Sequence, residues 1–287
     1  MNYKYLYISV IMLAIAVTGC QPDIIDGFHV DDATEDSGSV ITMATGRADG
    51  IVNLSVDAPA RTRFGVWIDL DGNGERAEDG AEDVKVFNAY QDYILASGLK
   101  TVSIYGDVTY LGCTSNELTA LDVSRNPSLV TLHTPLNRLT ALDISKNAAL
   151  TGLDCSGNSI TAIDVSNNTA LVSLWCFNNE LSTLNLSNNA DLAFLDCSGN
   201  KLSTLDVSKN EQLARLLAYN NELTSLDISQ NSRLNRLWLF GNPFSDDETE
   251  RIIGMLREVS QGDLWISGMP PGDGQAEALA AKGWELR

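Results

Sequence analysis

The sequence predicts a solenoid of short stacked coils, with a small β-rich cap at its N-terminal end and an α/β cap at its C-terminal end. Three observations predict it. Asn116, Asn137, Asn158, Asn179, Asn200, Asn221 and Asn242 recur every 21 residues without exception. Asn126, Asn147, Asn168, Asn189, Asn210 and Asn231 form a second column with the same step, and Leu111, Leu132, Leu153, Leu174, Leu195, Leu216 and Leu237 form a third. A fixed period of this length is the mark of an array in which one coil cannot bury its apolar side chains alone and must stack on its neighbours.

The chain opens with an apolar run from Leu6 to Val17, behind a single cation, Lys4, and ahead of small residues and Cys20. The run is shorter than the roughly 20 apolar residues a membrane span needs. Its flanks fit a cleavable export signal over residues 1–19. Val17-Thr18-Gly19-Cys20 resembles a bacterial lipobox, which implies cleavage before Cys20 and acylation of its thiol and new amino group. Two or more acyl chains hold a protein on a membrane, at about 0.8 kcal/mol per buried CH₂. An ordinary signal peptide with an incidental cysteine is the alternative. Residues 20–38 are acidic and unpatterned (Asp23, Asp26, Asp31, Asp32, Glu35, Asp36), as a solvated tether from the lipidated Cys20 would be. The formal net charge of −19 argues against nucleic acid as a partner.

Residues 39–98 read as the β-rich cap. VITMAT, IVNLSV, FGVWID and DVKVF are short β-branched or aromatic runs separated by polar turns. Within them Asp69, Asp71 and Asn73 alternate ahead of Gly74, the spacing of a calcium loop with glycine sixth for the sharp turn. The twelfth position, where such loops need an acid, is Gly80; Glu78, Asp79 and Glu82 stand nearby and could supply the missing carboxylate. Two readings fit: a structural calcium site built from Asp69, Asp71, Asn73, Glu78 and Glu82, or an acidic hairpin turn. No other cofactor is called for.

The coils occupy residues 99–244. In residues 128–148, Leu129, Leu132, Leu139, Leu142 and Ile144 point inward at fixed offsets. The asparagine columns fall at corners, where an amide side chain satisfies backbone groups the turn leaves unpaired. Cys113, Cys155, Cys176 and Cys197 share a further column with Thr134, Ala218 and Leu239. Those replacements suit a small buried filler, not a disulfide or a metal ligand. Segments such as LTGLDCSGNSITAIDVSNN and LAFLDCSGNKLSTLDVSKN resemble the 21-residue leucine-rich repeats of internalin-J-like bacterial surface lipoproteins, including those of Bacteroidetes. The resemblance implies a leucine-rich-repeat solenoid with a parallel β-sheet on its concave face and a role in attachment or recognition. In Bacteroidetes lipoproteins, acids soon after the cysteine mark export to the cell surface; Asp23 and Asp26 match weakly.

Each coil should turn three side chains outward on the sheet. These triplets vary freely and carry aromatics, arginine and aspartate, whereas the opposite edge repeats Ala-Asp-Ser almost unchanged. His133, Asp154, Trp175, Phe177, Phe194, Asp196, Arg215, Tyr219, Arg236, Trp238 and Phe240 are therefore the candidate ligand-binding residues, since exposed rings and arginines make binding hot spots. The alternative is that the rings only cover the sheet. After the coils, residues 245–287 form the second cap. Ser245-Asp246-Asp247-Glu248 reads as a capping box opening a helix that Gly262 ends, and a strand at 264–267, a helix at 274–282 and Trp284-Glu285-Leu286 follow.

No catalytic residue is expected. The histidines are His29 and His133, no G-x-S-x-G stands in the chain, and Asp154 and Asp196 are two coils apart, about 10 Å. That exceeds the roughly 6.5–9.5 Å of an inverting glycosidase. The expectation is a non-catalytic, outer-membrane lipoprotein at the cell surface that binds a protein partner. A glycan is the alternative partner, with Asp154 and Asp196 accepting sugar hydroxyls beside flat rings; a carbohydrate-active enzyme is more remote.

Overall fold

Residues 38–266 and 273–287 are described by the computed structural model. The expected export signal, Cys20 and the tether up to residue 37 lie outside them. Among the described residues no helix is long and apolar enough to cross a membrane.

The N-terminal cap contributes β1 (Val40–Thr45), β2 (Ile51–Asp57), β3 (Trp67–Asp69) and β4 (Gln91–Ile94), and the chain runs on into β5 (Thr101–Tyr105), β6 (Tyr110–Gly112) and β7 (Leu118–Arg125) at the start of the coils. VITMAT, IVNLSV and FGVWID hold strands, because their alternate side chains (Ile41, Met43, Val52, Leu54, Ile68) are buried. DVKVF does not: Asp83 bridges Trp67, but Lys85 and Val86 are exposed and no ladder continues. An antiparallel sheet in the order β3-β5-β1-β7 joins the cap to the coils. Since β5 and β7 both lie past residue 98, cap and first coil share one hydrogen-bonded layer.

The second sheet has eleven strands and runs the length of the array. Each further coil adds three residues to it: β8 (Thr131–His133), β9 (Gly152–Asp154), β10 (Ser173–Trp175), β11 (Phe194–Asp196), β12 (Arg215–Leu217) and β13 (Arg236–Trp238). They pair in parallel and in sequence order from β6, with the leucine column in register and fully buried. β2 and then β4 extend the sheet antiparallel at the N-terminal edge. Cys113, Cys155, Cys176 and Cys197 are free and buried in one column with Thr134, Ala218 and Leu239, and burial raises the Cys113 thiol to about 12.

Both asparagine columns stitch coil to coil. In the first, Asn179 Nδ2 donates to Cys155 O of the preceding coil (3.0 Å) and to Cys176 O of its own (3.1 Å), while Oδ1 accepts from Ile160 N–H (3.0 Å). In the second, Asn168 Nδ2 donates to Ile144 O and Asn147 O, but Oδ1 has no partner, as for all six members of that column.

One row of residues, beside the first asparagine column, sits in the left-handed region. It begins with Ser115 and Leu136, and from Leu136 on side chains alternate with none: Leu136, Asn178 and Asn220 against Gly157, Gly199 and Gly241. A Cβ on Gly199 would lie 2.4 Å from Asn178 Oδ1, and one on Gly157 would lie 2.8 Å from Leu136 Cδ2.

The C-terminal cap comprises α1 (Asp246–Met255), β14 (Gly262–Trp265), α2 (Asp273–Ala281) and β15 (Trp284–Leu286). Ser245 Oγ accepts from Glu248 N–H at 3.2 Å, so the N-cap forms. The box does not close, because the Glu248 carboxylate is drawn to Leu226 N–H and to Arg251 instead. α1 ends at Met255, capped by Leu256 with its backbone extended, and Gly262 starts β14. β14 and β15 then continue the parallel sheet from β13.

Candidate site on the concave sheet

Outward side chains of β8–β13 line up in columns across the sheet. Phe194, Arg215 and Arg236 share one row; His133, Asp154, Trp175, Asp196, Leu217 and Trp238 share the next. The expectation of a fully exposed triplet in every coil is corrected here. Phe177 and Asp196 are each only 7% exposed, and Ser156 and Ser198 are buried. The cause is an alternation of size: Trp175-Phe177 lies between Asp154-Ser156 and Asp196-Ser198, and the following coil presents Leu217-Tyr219. On the inside of a curve neighbouring rows converge, so large side chains close over the small ones. Phe177 is thus part of the cover, and the predicted stripe divides in two.

The N-terminal part is polar. His133 Nε2 lies 2.8 Å from Asp154 Oδ2, and Ser156 donates to Asp154 Oδ1 from both N–H (3.0 Å) and Oγ (2.6 Å). Beside it Tyr90 Oη and Thr114 Oγ1 are 3.0 Å apart over Gly112, where a Cβ would meet Tyr90 Oη at 2.7 Å. Tyr90 was not foreseen, because it comes from the cap. Trp175 and Phe194 follow, with ring centroids 4.8 Å apart.

Asp196 receives the same two bonds from Ser198, at 3.1 and 2.6 Å. Burial dominates over them and raises its carboxyl from 3.8 to about 6. The folded chain therefore holds a proton there that the unfolded chain has lost. Stability falls as pH rises from about 4 to about 6, then levels off. Asp196→Asn should accordingly raise the melting temperature more at pH 7.5 than at pH 4; an equal shift at both would show that the carboxyl is not perturbed.

The C-terminal part is aromatic and cationic. Tyr219 and Phe240 stack at 4.5 Å, Phe240 stacks on Trp265 at 4.1 Å, and Trp238 meets Trp265 edge-on at 5.8 Å. Arg236 and Arg287 lie over the Trp238 ring at 5.4 and 5.7 Å and share Asp263, at 3.1 and 2.6 Å. Arg215 is exposed and in register with Arg236. Trp265, Asp263 and Arg287 were missed by sequence reasoning, because the cap strands stand outside the 21-residue step. The opposite edge of the coils is occupied by its own turns: Asp122, Asp143, Asp164, Asp206 and Asp227 each accept from the N–H of the serine two residues on.

In the N-terminal cap, carboxylate oxygens of Asp69, Asp71 and Glu82 lie within 4.8 Å of one another, the first and last buried. Asn73 joins through an Nδ2 bond to Asp71 (2.9 Å); Glu78 is exposed and outside this cluster. Asp69 accepts from Gly72 and Gly74 N–H, and Glu82 from Leu70 and Ala77 N–H. The oxygen donors suit a hard divalent cation, and the folded loop already brings them together.

Three-residue parallel strands repeating over a leucine and cysteine interior define a leucine-rich-repeat solenoid. Residues 99–137 match the LVIVD repeat. The functional domain of InlJ from Listeria monocytogenes, described as including a cysteine ladder, is 39% identical over 47% of this chain and 35% of its own, with a TM-score of 0.44. A leucine-rich-repeat protein of Leptospira interrogans is 30% identical over 47% of this chain and 37% of its own, with a TM-score of 0.45. An internalin (inlF) of Listeria monocytogenes is 23% identical over 57% and 48%, with a TM-score of 0.49. The chain thus spans between about a third and a half of these structures. No curated protein matches it.

Proposed function

We propose that the chain is a non-catalytic, exported lipoprotein of the cell envelope, held by Cys20 at the outer membrane and binding a protein partner through its concave sheet. The observation that carries this reading is the set of rings and arginines turned outward on β12, β13 and β14, from the exposed Arg215 and Trp265 to the half-buried Arg236 and Trp238. Rings and arginines of this kind dominate protein-binding energetics. A glycan partner is less favoured, because Asp154 already accepts from His133 and Ser156, and Asp196 is buried against Ser198. Presenting the soluble domain to protein and glycan arrays tests the reading. A protein hit that disappears with Trp175→Ala plus Trp238→Ala is the expected result; a glycan hit, or a protein hit that survives both changes, would overturn it.

The convergence of Asp69, Asp71 and Glu82 supports a second proposal, a structural calcium ion in the N-terminal cap. Calcium should raise the melting temperature of the native chain, since a ligand bound only by the folded state stabilises it. Asp71→Asn, at the exposed member, should abolish that rise. A native chain indifferent to calcium would leave the loop as an acidic turn.

A further inference from the structure

We infer that the C-terminal cap completes a recognition site for an acidic, aromatic-bearing segment of a partner protein, centred on Arg215, Trp238, Phe240 and Trp265. The inference rests on the concave-face reading above and gives it a location and a ligand chemistry.

Three facts converge on it. First, the platform is composite: Phe240 of the last coil stacks on Trp265 of β14, so the cap continues the ring surface instead of merely sealing the core. Trp265 is 37% exposed, on the outward side of a strand whose neighbour Leu264 is fully buried. Second, the charge is the reverse of the molecule's. In a chain of net charge −19, Arg215, Arg236 and Arg287 gather at one end of the sheet. Asp263 takes both Arg236 and Arg287, Glu285 lies one strand further out in the same row, and Arg215 has no ion-pair partner among the described residues.

Third, the geometry separates two functions. Asp263 holds Arg236 and Arg287 over the Trp238 ring, fixing its position. Arg215 is left to receive a carboxylate with its planar fork, for which arginine is suited. The outer face of Trp265 and the edge of Phe240 offer an apolar surface for a ring or a branched side chain two positions along an extended segment. A basic partner would face an uncompensated arginine, and a purely apolar one would leave Arg215 unused. The surrounding acidity of the chain would repel an acidic segment elsewhere, which confines it to this end.

Fluorescence anisotropy on the full chain tests this with short labelled peptides alternating Glu with Phe, Gln with Phe and Lys with Phe. The Glu–Phe peptide should bind most tightly, and Arg215→Ala and Trp265→Ala should each weaken it by roughly tenfold, as truncating a hot-spot residue does. Trp175→Ala should leave it unchanged. Should Trp265→Ala disturb the cap, visible as lost circular dichroism, the exposed Arg215→Gln variant decides the matter alone. Equal or tighter binding of the Lys–Phe peptide, or no binding by any of the three, would overturn the inference. So would binding that Trp175→Ala abolishes and Arg215→Ala spares; that outcome would move the site along the same face and leave the protein-binding proposal standing.

Discussion

Asn179→Ala should lower the stability of the solenoid by roughly 3 kcal/mol, from one stranded donor and two lost hydrogen bonds. Ile160 N–H would lose the Oδ1 that accepts it and remain buried without a partner. Cys155 O and Cys176 O would fare better, since each also accepts from a neighbouring ladder asparagine, Asn158 and Asn200. Asn168→Ala in the second column should cost only about 1 kcal/mol, because it strands no donor. Ile144 O and Asn147 O keep bonds from Asn147 N–H and Leu150 N–H, and the unpaired Oδ1 is removed with the side chain. Urea unfolding of the two variants measures the difference; equal losses would mean that the columns are interchangeable, contrary to this account.

Gly283→Ala should have a comparable effect on the C-terminal cap, roughly 3 kcal/mol, from a left-handed residue and a backbone overlap together. Gly283 has φ +80°, and a Cβ there would lie 2.0 Å from Val259 O. That oxygen belongs to backbone and cannot swing aside as a side-chain tip would. Gly283 O also accepts from Gly262 N–H at 2.8 Å, so relieving the overlap would disturb the start of β14. Hydrogen exchange should then accelerate in β14, α2 and β15 while the coils β8–β12 keep their protection. Exchange in the cap unchanged from the native chain would refute the prediction.

Much of this architecture was legible because a repeat states the same physical requirement many times. Leu174 and Asn179 must solve one packing and one hydrogen-bonding problem in every coil, and their columns admit no exceptions. The concave face was legible only in part. Which residues point outward follows from strand alternation, but whether they stay exposed depends on the next coil. The 21-residue step places Ser156 and Ser198 on either side of Phe177, but does not reveal how far the ring leans over them. Trp265 escaped for another reason: α1 intervenes, so it pairs with Trp238 across 27 positions instead of 21. Glu248 was assigned to the helix cap by its spacing alone, whereas Arg251 and the amide of Leu226, supplied by the preceding coil, compete for its carboxylate.

The row in which Leu136, Asn178 and Asn220 alternate with Gly157, Gly199 and Gly241 gives the array a parity. From Leu136 to Gly241 every coil is either odd, carrying a side chain, or even, leaving room for one; Ser115 of the first coil, beside Leu136, stands outside the alternation. Excising a single coil would bring two odd members together, with Asn178 against Asn220, or two even members that leave a gap. Excising or adding a pair restores the order. Between Leu136 and Gly241 the length of this solenoid can therefore be changed by doublets at little cost, whereas a single coil added or removed there calls for a small residue, as Ser115 is beside Leu136, to reset the phase.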